Sequence, residues 1–128
     1  MVLDTSFLID LQREMAGGNS RGAVDFLESK TDETAHITLV TWMEFAEGYA
    51  VDRADDCRQF LSNFPLLIPD LPTAWRASRI SRELRRNDSL IGDHDIWIAA
   101  AALERNVPVV TRNMRHFSRV QGLMVARY

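Results

Sequence analysis

Residues 91–103, IGDHDIWIAAAAL, constrain this chain more than any other stretch. After Gly92 and three polar residues, Ile96, Trp97, Ile98 and four consecutive alanines run without a polar side chain as far as Glu104. A helix that is apolar all round is a buried helix, and alanines let neighbouring backbones approach closely. The spacing therefore predicts the central helix of the domain. Its first turn carries Asp93 and Asp95, although a carboxylate taken out of water is costly unless it is paired or binds a metal. Asp93 is open to the ordinary reading of an N-cap. Asp95 cannot share that cap. It leads the face continued by Ile98, Ala99 and Ala102, so it is the stronger functional candidate.

At 128 residues the chain is expected to form one domain, residues 1–128, with a core of its own. The lone Cys57 excludes an internal disulfide and points to a reducing compartment, the cytoplasm. No apolar run reaches the length of a membrane span, and MVLDTSFLID, with two aspartates and no basic stretch, is not expected to act as a secretory signal. The net charge of −3 conceals an asymmetry. Residues 1–70 hold five basic against thirteen acidic side chains, whereas residues 71–128 hold ten arginines against five acids.

Residues 1–4 read as a short strand ending in Asp4, and residues 5–15 as a helix with Phe7, Leu8 and Leu11 inward. Ligand crevices of open α/β sheets lie beyond the carboxyl ends of the strands, where Asp4 stands, although Asp4 or Ser6 can also cap the helix. A helical pattern over residues 21–30 precedes a second strand at 35–39 and a helix over 41–50. In that helix Trp42, Phe45 and Tyr49 share a stripe, Glu44 comes early enough to reach the crevice, and Glu47 is expected to be solvated. Residues 52–63 form an amphipathic helix and 66–68 a short strand. A helix over 72–86 is expected to bury Trp75, Ile80 and Leu84 and to display Arg76, Arg79, Arg82, Arg85 and Arg86. Such a face is either plainly solvated or a rim that steers a polyanion toward the acids. Val109, Val110 and Thr111 form a buried strand followed by Arg112 and Asn113; His116 and Phe117 are expected in a loop, and residues 123–126 as an edge strand. Strands alternating with helices argue for the α/β class.

Asp4, Glu44 and Asp95 come from three separate segments and are all placed at one edge of the sheet. Clustered carboxylates repel, and a divalent cation among them relieves the repulsion. His36, His94 and His116 look scattered, so the expected ligands are oxygens, suiting Mg²⁺ or Mn²⁺ rather than zinc. Beside arginines, such a centre suits phosphodiester chemistry.

Four segments, LDTSFLIDL, TWMEFAEGY, IGDHDIWIAAAAL and VVTRNMRHF, resemble in order and spacing the motifs of PIN-domain ribonucleases, and more narrowly the VapC-type toxins of toxin-antitoxin modules. The resemblance spans nearly the whole chain. It implies a three-layer α/β/α domain with a central, mainly parallel sheet. It also implies Mg²⁺- or Mn²⁺-dependent endonucleolytic cleavage of structured RNA, tRNA or ribosomal RNA, by a metal-activated water, leaving 5′-phosphate and 3′-hydroxyl ends. Asp4, Glu44 and Asp95 match the catalytic, metal-binding acids, and Asp93 a position where an extra acid is frequent. Ser6 and Thr111 match polar residues that orient the acids. Asn113 stands where many members carry a fourth acid, which leaves a core of three carboxylates. Arg82, Arg86 and Arg112 are candidates for RNA contact. The resemblance further implies a homodimer silenced by a cognate VapB-type antitoxin, with Trp42, Phe45 and Tyr49 either lining the antitoxin groove or packing in the core. An inactive PIN-like module that binds RNA or protein is the alternative. A phosphoacceptor receiver domain would need a lysine late in the chain, and the only lysine is Lys30.

Overall fold

A computed structural model describes all 128 residues. Five strands of two residues each form the centre: β1 (Val2–Leu3), β2 (Ile37–Thr38), β3 (Leu66–Leu67), β4 (Val109–Val110) and β5 (Val125–Ala126). β4 pairs with both β1 and β5, β2 pairs with β3, and every pair is parallel. A parallel bridge between Val2 and His36 joins the two groups, giving the order β3-β2-β1-β4-β5. Parallel neighbours need long crossovers, and helices supply them.

Those helices are α1 (Thr5–Met15), α2 (Gly22–Glu28), α3 (Leu39–Glu47), α4 (Ala54–Leu61), α5 (Leu71–Arg86), α6 (Asp93–Arg105) and the short α7 (Met114–Phe117). Side chains alternate across a strand. Val2 and Val109 accordingly enter one core with Ile80, Leu84, Ile98 and Phe117, while Leu3, Ile37 and Val110 enter the other with Phe7, Phe45 and Leu61. The result is the three-layer α/β/α arrangement expected from the sequence. No helix is long and apolar enough to cross a membrane.

The alanine run behaves as its composition dictates. Ala99, Ala100 and Ala102 are fully buried, and α6 packs along α5 in an antiparallel hairpin and ends at a left-handed Asn106. Helix α5 starts where Asp70 accepts a hydrogen bond from Thr73 N at 2.9 Å, with Pro72 in its first turn.

Three local expectations are corrected, and one open alternative is decided. Trp75 is 66% exposed because the buried face of α5 is Thr73, Ala77, Ile80 and Leu84, and Trp75 lies off that period. Helix α3 begins at Leu39, ahead of residue 41, because Thr38 Oγ1 takes the N-cap bond from Thr41 N at 3.0 Å. His116 and Phe117 belong to the helical turn α7 rather than to a loop. Finally, Phe45 is buried and stacks on Phe60 with ring centroids 5.1 Å apart, so the centre of the Trp42, Phe45, Tyr49 stripe is core, with Trp42 and Tyr49 half-buried beside it.

Candidate active site

The carboxyl ends of β1, β2 and β4 meet the first turns of α1, α3 and α6, and this junction gathers the acids. Asp4 leaves β1 in an extended conformation and stands at the N-cap position of α1, yet its side chain makes no capping bond. Its Oδ2 instead accepts hydrogen bonds from Ser6 Oγ at 2.8 Å and Thr111 Oγ1 at 2.7 Å. Both hydroxyls therefore fix one oxygen of a carboxylate that is only 6% exposed. Oδ1 accepts none within the protein. Thr111 also accepts from Asn113 N at 2.9 Å, and Ser6 from Arg112 N at 3.3 Å, so the segment after β4 is tied to the same acid.

Glu44, in the second turn of α3, is held at both oxygens: Thr5 donates to Oε2, and His94 Nδ1 lies 2.7 Å from Oε1. Asp95 has His116 Nδ1 at 2.7 Å from Oδ2 and leaves Oδ1 without a protein donor. Burial pushes the Asp95 carboxyl above the usual carboxylate range; the His116 contact opposes this, and the negative charges of Asp4 and Glu44 add to it. The charges of Asp4 and Glu44 thus reach Asp95 at this junction.

Asp93 stands apart. It is the first residue of α6, with Gly92 at the cap position, and it is exposed beside Ser78, Ser81 and Trp97 on the flank facing α5. Asn113 is half-buried and precedes α7, and its carbonyl accepts from His116 N at 3.2 Å. Arg112 is engaged by Asp10, with Nε 3.0 Å from Oδ2. Arg82 and Arg86 are exposed and unpaired.

Three site residues escape the sequence. His94 and His116 looked scattered, but each holds one of the acids; only His36 lies elsewhere, in the bridge to β1. The available signal was that two of just three histidines fall inside the four motif segments, His94 between Asp93 and Asp95 and His116 in VVTRNMRHF. Thr5 also went unnoticed, although it adjoins Asp4.

No three of the His, Cys, Asp and Glu side chains are drawn together closely enough to enclose an ion. The donor set still fits a hard cation. Two carboxylate oxygens, on Asp4 and Asp95, are free of protein donors, and Mg²⁺ commonly takes one or two carboxylates while keeping several waters.

The model of the PIN domain family matches residues 1–123. The chain belongs to the PIN-domain family. Among relatives of this PIN domain, Ribonuclease VapC1 of Methanocaldococcus jannaschii is 29% identical over 122 residues, 94% of this chain and 81% of that protein. The tRNA(fMet)-specific endonuclease VapC of Salmonella typhimurium is 31% identical over 94 residues, 70% of this chain and 71% of the relative. In structure, a DNA-bound VapBC from Salmonella typhimurium superposes with a TM-score of 0.84 at 25% identity, covering 98% of this chain and 96% of the other. The VapBC2 structure from Rickettsia felis, at 20% identity and a TM-score of 0.85, covers 99% and 97% and shows the shared fold. This PIN domain is a VapC-type ribonuclease.

Proposed function

We propose that the protein is the toxin of a toxin-antitoxin pair that cuts structured RNA, tRNA or ribosomal RNA, at a divalent-cation centre on Asp4, Glu44 and Asp95. The observation that carries this reading is geometric: at the carboxyl ends of the strands Asp4 and Asp95 are each held through one oxygen and keep the other free of protein donors, and the charges of Asp4 and Glu44 reach Asp95. Asp4 and Asp95 offer their free oxygens as ligands, and Glu44, steadied by Thr5 and His94, contributes the third charge. Ser6 and Thr111 hold Asp4 in one orientation, and Asn113 holds Thr111 through its backbone. Mg²⁺ or Mn²⁺ bound there supplies polarisation of the scissile phosphate and a water of lowered pKa. Asp93, on the flank facing α5, is set apart from these three acids.

Single-stranded loops of structured RNA fit an open pocket, because unstacked bases can be splayed out and read. The Salmonella relative is named for tRNA(fMet), which supports a tRNA substrate. Arg82 and Arg86 are free to meet phosphates, whereas Arg112 is held by Asp10 and braces the segment after β4. The VapBC complexes among the structural neighbours support a cognate antitoxin as partner, and the lone Cys57 fits a reducing cytoplasm. A homodimer is supported by the apolar edge at β3, where Leu39, Met43, Leu66 and Ile68 are exposed.

The test is cleavage of tRNA and ribosomal RNA with and without EDTA, with 5′ ends mapped. Asp95→Asn is expected to leave the fold intact and lower the rate by about a thousandfold, the scale of several kcal/mol of lost charge stabilisation. Undiminished cleavage by that variant, or by wild type in EDTA, would refute the cation centre.

A further inference from the structure

Helix α5 carries a stripe at helical spacing, Trp75, Arg79, Arg82 and Arg86, with Arg85 alongside. None of these arginines has a carboxylate within ion-pairing distance; the pairs formed between α5 and its neighbour are confined to Arg76 and Glu104 at the other end of the hairpin. One shallow groove on this face is lined by Ser78, Arg79, Ser81, Arg82, Arg85 and Arg86, and a second reaches across Arg86 and Asn87 to Gln121. Because α5 and α6 run antiparallel, the arginine-bearing half of α5 adjoins the start of α6, where Asp95 sits. At the far end of the stripe the Arg79 guanidinium lies 4.4 Å from the centre of the Trp75 ring, and Trp75 is 66% exposed.

We infer that this stripe is the RNA-docking face, with Trp75 as a platform on which one unpaired base stacks and the arginines as a phosphate track leading to the acids. The inference rests on the ribonuclease reading and adds where the substrate lies and what feature of it is read. A base stacked on an aromatic ring binds whatever its sequence, since every base has a π-face, and a guanidinium on the opposite side of the ring adds a cation–π contribution. An exposed tryptophan also suits self-association. Here two copies meeting symmetrically through the stripe would bring their unpaired arginines together, and like charges so placed disfavour that contact. A polyanion has the opposite effect.

The experiment uses the full chain made cleavage-silent by Asp95→Asn and two fluorescein-labelled probes, an RNA hairpin with an unpaired loop and a blunt RNA duplex of the same stem. Trp75→Ala is expected to weaken hairpin binding roughly tenfold and leave duplex binding nearly unchanged. Replacing Arg79, Arg82 and Arg86 together by Gln is expected to weaken both probes and flatten the dependence of log affinity on log salt by about two. Equal losses on both probes after Trp75→Ala, no loss at all, or a Trp75→Ala effect on sedimentation in place of RNA binding would overturn the platform. An unaltered salt slope would overturn the track. Binding is read without cleavage, so failure here leaves the cation centre standing, and a wild-type protein that cuts no RNA would fail the ribonuclease reading separately.

Discussion

Helices α5 and α6 lie side by side and handle charge in opposite ways. Helix α6 carries Asp95 to the border of the interior, where the carboxylate is half-buried and engaged by His116. Helix α5 keeps its arginines in water, and four of them have no acidic partner. A charge that burial penalises must have something to meet, here an imidazole and, in the proposed function, a cation. A charge left in water costs little and is free for an external ligand. Substitutions on α6 should therefore disturb stability and chemistry together, and those on the outer face of α5 should leave stability unchanged and act through RNA binding alone.

The widest separation is expected in stability. Ile98 is fully buried between the sheet and α5, and Ile98→Ala should cost about 2–5 kcal/mol through lost burial and the cavity left behind. Arg82→Ala on the neighbouring helix should stay within about 0.5 kcal/mol. Urea unfolding of both variants makes the measurement. If Arg82→Ala proved as damaging as Ile98→Ala, the arginine face would have a structural role that its lack of partners gives no reason to expect.

A narrower effect is expected at Thr111, where the acid pole is organised by neutral donors. Thr111→Val preserves shape and removes the 2.7 Å hydrogen bond to Asp4, together with the acceptor used by Asn113 N. Groups that orient metal ligands typically matter by 10- to 100-fold in affinity, and a loss of about tenfold in Mn²⁺ affinity by calorimetry is expected with little change in the melting temperature. Unaltered Mn²⁺ binding would mean that Ser6 alone suffices to orient Asp4.

The same contrast explains how much could be read from the chain. Asp4 and Asp95 were legible because one ends a strand and the other lies in the first turn of a helix, at the carboxyl edge of a parallel sheet, whereas for Glu44, a turn further into its helix, periodicity offered only reach and the family resemblance supplied the match. The four alanines announced α6 for a similar reason. His94 and His116 were not legible, because what makes them matter is a hydrogen bond across 50 and 21 residues of chain, and no local pattern encodes that. Trp75 was misplaced by weighing its size above its phase. Only the helical period, counted from Thr73, Ala77 and Ile80, puts it on the side of the arginines. The outward start of α3 was hidden by Thr38, which serves both as the last strand residue and as the cap of the helix.

The smallest expected effect tests the origin of the contrast most directly. In the folded chain the Asp95 carboxyl is held above its ordinary range, chiefly by burial, with Asp4 and Glu44 opposing its ionisation and His116 favouring it. The folded state then binds a proton more tightly than the unfolded state, whose aspartates titrate near pH ~4. Between those two values the folded state holds more protons, so metal-free stability must fall as pH rises through the window and level off above it. Asp95→Asn removes the step. In EDTA at neutral pH the variant is expected to melt slightly above wild type, with the difference vanishing below pH ~4, where the acid is protonated in both states. Adding Mn²⁺ reverses the order, because a cation rewards the ionised carboxylate that only wild type has. Melting curves against pH, with and without Mn²⁺, give both comparisons. A variant less stable than wild type throughout would mean that the Asp95–His116 contact outweighs the burial of the acid, and that α6 tolerates its charge without needing a cation at all.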